Sequence, residues 1–106
     1  MDEPDLRAQW AKCETTTDIA TSLVRYLNAT TENLGAIHLG AEQASPEMVN
    51  LYVLHAIADA QRHLDAAMRA AVDQAVLGRG LSHRKTAEAA GVTHRTVSKW
   101  IAEPLP

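Results

Sequence analysis

The chain has 106 residues, the length of one domain or of a compact unit with an appendage, and its 46% hydrophobic content is enough for a core, which excludes wholesale disorder. The formal net charge is −3, which taken whole argues against a polyanionic partner, but the charge is unevenly spread. Residues 79–106 carry five basic and two acidic side chains, a balance of +3, whereas residues 1–78 carry five basic and eleven acidic ones, a balance of −6. A polyanion is drawn to one end and repelled by the other.

There is no Phe. Bulk comes from Leu, Val, Ile, Met and many Ala residues, which favour helices and close helix packing, and the four Pro fall at or near segment ends. An all-α fold is expected. Cys13 stands alone, so neither an intramolecular disulfide nor a cysteine-based zinc site is available. No 18-residue apolar run is present and the first residues are acidic, so a membrane span and a signal peptide are not expected and the expected location is the cytoplasm.

In chain order, Asp2-Glu3-Pro4 reads as a helix start, with Leu6 and Trp10 following on one face. Thr15-Thr16-Thr17-Asp18 is a break rich in capping residues, after which Ile19, Leu23, Tyr26 and Leu27 recur at helical spacing. From Asn28 to Ala44 the Thr, Asn and Gly content weakens a helix, while Leu34, Ile37 and Leu39 still favour burial; a short helix flanked by loops is expected. Ser45-Pro46-Glu47 then combines an N-cap, a first-turn proline and an acid. Nothing interrupts the helix from there to Leu77, and Gly78-Arg79-Gly80 supplies the stop, although a kink near Ala58–Ala60 would divide it. Leu54, Ile57, Leu64, Met68, Ala75 and Val76 form an apolar stripe with near-heptad gaps. Two coverings are open: a second copy of the chain, or residues 6–39 folded back on the same chain.

The last third carries the clearest pattern. Ser82 caps a helix His83–Ala90, Gly91 ends it in the left-handed conformation, and Thr93 caps a second helix, His94–Ala102, stopped by Pro104. Ala87 is small where the helices cross, Ala90 and Val92 pack round the turn, and Val97, Trp100 and Ile101 face inward. Met68, Val72, Val76 and Leu81 are expected to complete a tri-helical core. The run Gly80-Leu81-Ser82, Thr86-Ala87, Ala90-Gly91-Val92-Thr93, Thr96-Val97-Ser98-Lys99-Trp100 resembles the helix-turn-helix of serine recombinases, transposases and small phage or actinobacterial regulators. It departs from that pattern at Thr86 and Ala90, where larger aliphatic residues are usual. The resemblance covers about a quarter of the chain and implies binding of double-stranded DNA, with the second helix in the major groove.

On that reading Arg95 makes a bidentate guanine contact, while Thr93, His94, Thr96, Ser98 and Lys99 lie at or near the groove. Ser82 and the open helix starts seat phosphates, and Arg79, Arg84 and Lys85 add sequence-independent attraction. The resulting expectation is an all-α protein with an acidic dimerisation or interaction region over residues 1–64, one long central helix, and a helix-turn-helix over 65–106. It would act as a dimeric transcriptional regulator with no cofactor. An accessory factor in packaging or recombination, and a module that engages a basic protein without specific DNA binding, are the alternatives.

No catalytic set is apparent: Ser22, Ser45, Ser82 and Ser98 lack a glycine-flanked nucleophile turn, so an enzyme is not expected. Residues 1–64 are too few and too helical for a recombinase catalytic domain. His55, Asp59 and His63 recur every four residues, a spacing that can hold a divalent metal, but a solvated face of charge pairs that includes Arg62, Arg69 and Asp73 is the simpler account. Trp10 and Tyr26 are expected as core anchors, and Cys13 as a plain buried or half-buried thiol.

Overall fold

The computed structural model describes residues 6–40 and 42–103, and within them the chain is all-helical with one long central helix. Helix α1 is Leu6–Ala11, α2 is Thr16–Gly40 and α3 is Pro46–Asp73, which passes into a π-helical turn at Gln74–Gly78. Two short helices follow, α4 at His83–Ala90 and α5 at His94–Ala102. The molecule measures 52 × 31 × 24 Å, its long dimension set by α3, which at 1.5 Å per residue is about 42 Å long. The Asp2-Glu3-Pro4 start and the Pro104 stop lie outside the described residues.

Local chemistry accounts for the boundaries. Thr15 and Asp18 cap each other reciprocally at the start of α2, each backbone N–H donating to the other's side chain at 3.1 Å. Ser45 Oγ accepts from Met48 N at 3.2 Å, and Pro46 follows it into α3. At the far end Gly80 takes φ +70°, letting Gly80 and Leu81 N–H reach back to the carbonyls of Val76 and Ala75.

The sequence expectation of a short helix between Asn28 and Ala44 is corrected: α2 is continuous to Gly40. Two observations explain why propensity loses. The Thr31 hydroxyl donates to Leu27 O at 2.8 Å, so it stays within the helix instead of opening it. Thr30 and Ile37 are half-buried on the side of α2 that carries Ile19 and Tyr26, and packing of that kind outweighs about 1 kcal/mol for Gly35. Residues 58–60 do not divide α3, which is α-helical through this segment, but the α-helix ends at Asp73 and not at Leu77.

Two cores share α3. The first gathers Trp10, Ile19, Ala66, Ala67 and Ala70, with Leu6, Cys13, Leu23 and Tyr26 packed around them. Small Ala residues on α3 let α1 and α2 approach closely. Trp10 and Tyr26 act as the anchors expected: Trp10 Nε1 donates to His63 Nδ1 at 3.2 Å, the Tyr26 and His63 rings stack at 4.1 Å, and Tyr26 OH donates to Asp59 at 2.7 Å. The second core gathers Val72, Ala87 and Val97, ringed by Val76, Ala90, Val92, Trp100 and Ile101. Val97 is wholly buried.

The apolar stripe resolves differently from the fold-back alternative. Helices α1 and α2 cover the Ala66–Ala67–Ala70 face of α3, and Leu54, Ile57, Leu64 and Met68 remain exposed. Met68 and Leu81 are also exposed and do not complete the second core; they border an open groove of about 290 Å³ between α3 and α4. Among the described residues no helix is long and apolar enough to cross a membrane.

Candidate functional site: the α4–α5 surface

Helix α4 begins with Ser82 Oγ accepting from Lys85 N at 3.1 Å, and α5 begins with Thr93 Oγ1 accepting from Thr96 N at 3.2 Å. Between them Gly91 sits at φ +73°, ψ +27°, and the N–H groups of Gly91 and Val92 bond to the carbonyls of Glu88 and Ala87. The reversal is therefore fixed by hydrogen bonds and by a residue without Cβ. Ala87 and Val97 lock the pair together against Val72.

The outward surface carries the charge. Arg84 and Lys85 on α4, Arg95 and Lys99 on α5, and Arg79 ahead of α4 are all exposed, as is His94. Arg95 and Lys99 stand four residues apart on the face of α5 opposite Val97 and Trp100. Both helix N-termini add their own partial positive charge.

Besides Ser82, whose side chain caps α4, three of the residues singled out from sequence bond through their side chains to other side chains. Ser98 is half-buried and its Oγ shares a hydrogen bond of 2.7 Å with His83 Nδ1, tying α5 to α4. The hydroxyls of Thr93 and Thr96 share another at 3.0 Å. These groups brace the surface, and Arg95, Lys99 and His94 form its open edge on α5.

Two contributors are not read as such from the sequence, where Arg69 is expected only on a solvated face of charge pairs. His83 reads there only as the first residue of a helix, and its bond to Ser98 spans fifteen positions with no periodic signal. Arg69 projects from α3 over the Trp100 ring, 4.8 Å from its centroid, and anchors α5 by cation–π contact. Burial, then the charge of Arg7, pull the Arg69 guanidinium below its ordinary value, while Asp73 and Glu103 act the other way. Burial pushes the Asp73 carboxyl up, opposed by Arg69 and Arg7.

On the far side of the molecule Asp59 accepts from Tyr26 and from Arg62, the latter at 3.1 Å, and its second oxygen lies 3.9 Å from His63 Nε2. His63 Nδ1 is already taken by Trp10 and His55 is exposed. Among the described residues no group of three potential ligands converges to hold a metal ion. A polar cleft of about 640 Å³ opens beside this network, between α1 and α2, with Cys13 at its wall, half-buried and 3.8 Å from Ser22 Oγ.

No protein-family model, curated protein or solved structure matches the chain.

Proposed function

We propose that α4 and α5 form a helix-turn-helix through which the protein binds double-stranded DNA with sequence specificity, acting in the cytoplasm as a dimeric transcriptional regulator. One observation carries the reading: a helix pair capped at both starts and reversed at a left-handed glycine presents Arg95 and Lys99 outward, on a chain whose positive charge is concentrated in this segment. In the proposed complex α5 enters the major groove, Arg95 contacts a guanine edge, and Lys99 and His94 contact bases or flanking phosphates. Arg79, Arg84 and Lys85, with the N–H groups beyond Ser82 and Thr93, hold the backbone. Ser98 and Thr96 support the geometry from behind.

Selection of bound duplexes from a random pool at near-physiological salt tests the reading. An enriched motif is expected. An unenriched pool at physiological salt, together with no binding to DNA even at low salt, removes DNA as the partner and favours a basic protein engaged by the acidic helices.

A further inference from the structure

The α2–α3 hairpin has one side that none of the described residues covers. On α2, Val24, Leu27 and Leu34 recur at near-heptad steps; on α3, Ile57, Leu64 and Met68 do the same. All six are between 38% and 57% exposed. The helices run antiparallel, and each stripe stands about a quarter to a third of a turn from its helix's contact face, in the sense that brings both to the same side. They form one continuous apolar face, away from the side on which α1 packs.

We infer that this face is the seat of a second copy of the chain, with the two α3 helices antiparallel across a two-fold axis near Gln61. Three observations select this occupant. The first is area: at those exposures the six side chains leave on the order of 500 Å² of apolar surface open, and with neighbours such as Leu54 and Ala60 the face approaches the ~800 Å² that each partner contributes to a stable complex. The second is charge. None of Asp18, Arg25 and Glu32 on α2, or Asp59, Arg62, Asp65, Arg69 and Asp73 on α3, falls within the stripe of those six residues at helical spacing, and Glu47 stands one heptad before Leu54, beyond the end of the face. An uncharged face suits an identical copy, since two chains of net charge −3 repel wherever their charged sides meet.

The third is orientation. A parallel dimer sets the two basic α4–α5 units side by side, whereas an antiparallel one holds them at opposite ends. The face extends from the level of Leu54 to Met68, so its midpoint is Gln61. Val72, on which α5 is anchored, lies eleven residues beyond that point. At 1.5 Å per residue the two Val72 positions are then about 33 Å apart along α3, close to one turn of B-DNA. This last step rests on the DNA-binding reading; the dimer itself does not.

The test is the mass of the full chain in solution without DNA, by sedimentation equilibrium at tens of micromolar. A species of twice 11.5 kDa is expected for the wild type. Leu64→Glu is expected to halve that mass while keeping its helical circular dichroism, because Leu64 already meets solvent in the single chain. Leu27→Glu, on the other helix of the face, serves if Leu64→Glu loses its helicity. Leu39→Glu, at the most exposed leucine among the described residues and off the stripe, is expected to stay dimeric. A monomeric wild type, a larger ring or filament, or a Leu64→Glu or Leu27→Glu protein that remains a folded dimer overturns the proposal. With the dimer established, enriched DNA carrying an inverted repeat one turn apart supports the antiparallel register, and half-sites at another spacing overturn it. Failure to enrich any DNA counts against the DNA-binding reading and leaves the mass result standing.

Discussion

Thr86 is a single side chain at odds with its surroundings. It is buried in the second core, and its Oγ1 has no hydrogen-bond partner. An unpaired buried hydroxyl costs about 1–3 kcal/mol, and valine has nearly the same shape. Thr86→Val is therefore expected to raise stability by about 1 kcal/mol, read as a higher urea midpoint at unchanged slope; a lower midpoint would mean that the hydroxyl is satisfied. Asp59 shows the opposite situation. The Tyr26 hydroxyl, more than the flanking Arg62 and His63, holds its carboxyl below the usual value near 3.8. A depressed carboxyl stabilises the fold above its unfolded range and loses that contribution as pH falls through the folded value. The stability gap between wild type and Tyr26→Phe should thus be widest near neutral pH and close in acid, measured by denaturation at a series of pH values; a gap independent of pH would refute the coupling. On the proposed DNA surface, Arg95 and Lys85 separate two kinds of contact. Arg95→Ala should cost about 1–3 kcal/mol on the selected site and much less on random DNA, while Lys85→Ala should weaken both alike and lower the salt slope by about one. Equal losses for Arg95→Ala, or an unchanged slope for Lys85→Ala, remove the respective role.

At the scale of elements, the turn between α4 and α5 depends on one backbone conformation. Gly91 has open space where a Cβ would go, so Gly91→Ala meets no clash and its cost is that of the left-handed backbone alone, about 1–2 kcal/mol. Thermal unfolding should report that loss with the helical signal kept; a larger drop with lost helicity would mean that the turn is packed. This turn was legible in the sequence because each part, the Ser82 and Thr93 caps and Gly91, is a short-range signal whose physics is complete within four residues. The Ser45-Pro46 start of α3 was legible for the same reason. The continuous α2 was not: Gly35, Thr30 and Thr31 argue locally for a break, and the packing that overrides them comes from another helix. The same limit hid His83–Ser98 and Arg69–Trp100, contacts made across fifteen and thirty-one positions. Among the surface residues, sequence spacing placed Arg95 and Lys99 on the outer face of α5, but did not show that the Ser98 hydroxyl turns inward to His83.

For the molecule as a whole, α3 is the shared wall of both cores, and this determines how the chain unfolds. Among the described residues the second core holds three buried hydrophobic residues beside Thr86, drawn from a segment of about thirty, below the size at which a hydrophobic core alone sustains a fold. It borrows its third wall from α3, whose Ala66–Ala70 stretch is held by α1 and α2 only two residues before Val72. Loss of the first core would therefore free the helix on which α4 and α5 rest, and the two cores should melt together. The chain provides a reporter for each: Trp10 is buried in the first core, and Trp100 packs on the second beneath Arg69. Trp100→Phe leaves Trp10 as the only tryptophan, and Trp10→Phe leaves Trp100. In each variant the tryptophan fluorescence is expected to change at the same urea concentration as the helical circular dichroism, giving a single transition with one slope. If instead the Trp100 signal is lost well before the helicity in Trp10→Phe, α4 and α5 detach while the α1–α3 unit stays folded, and α3 does not couple the two cores.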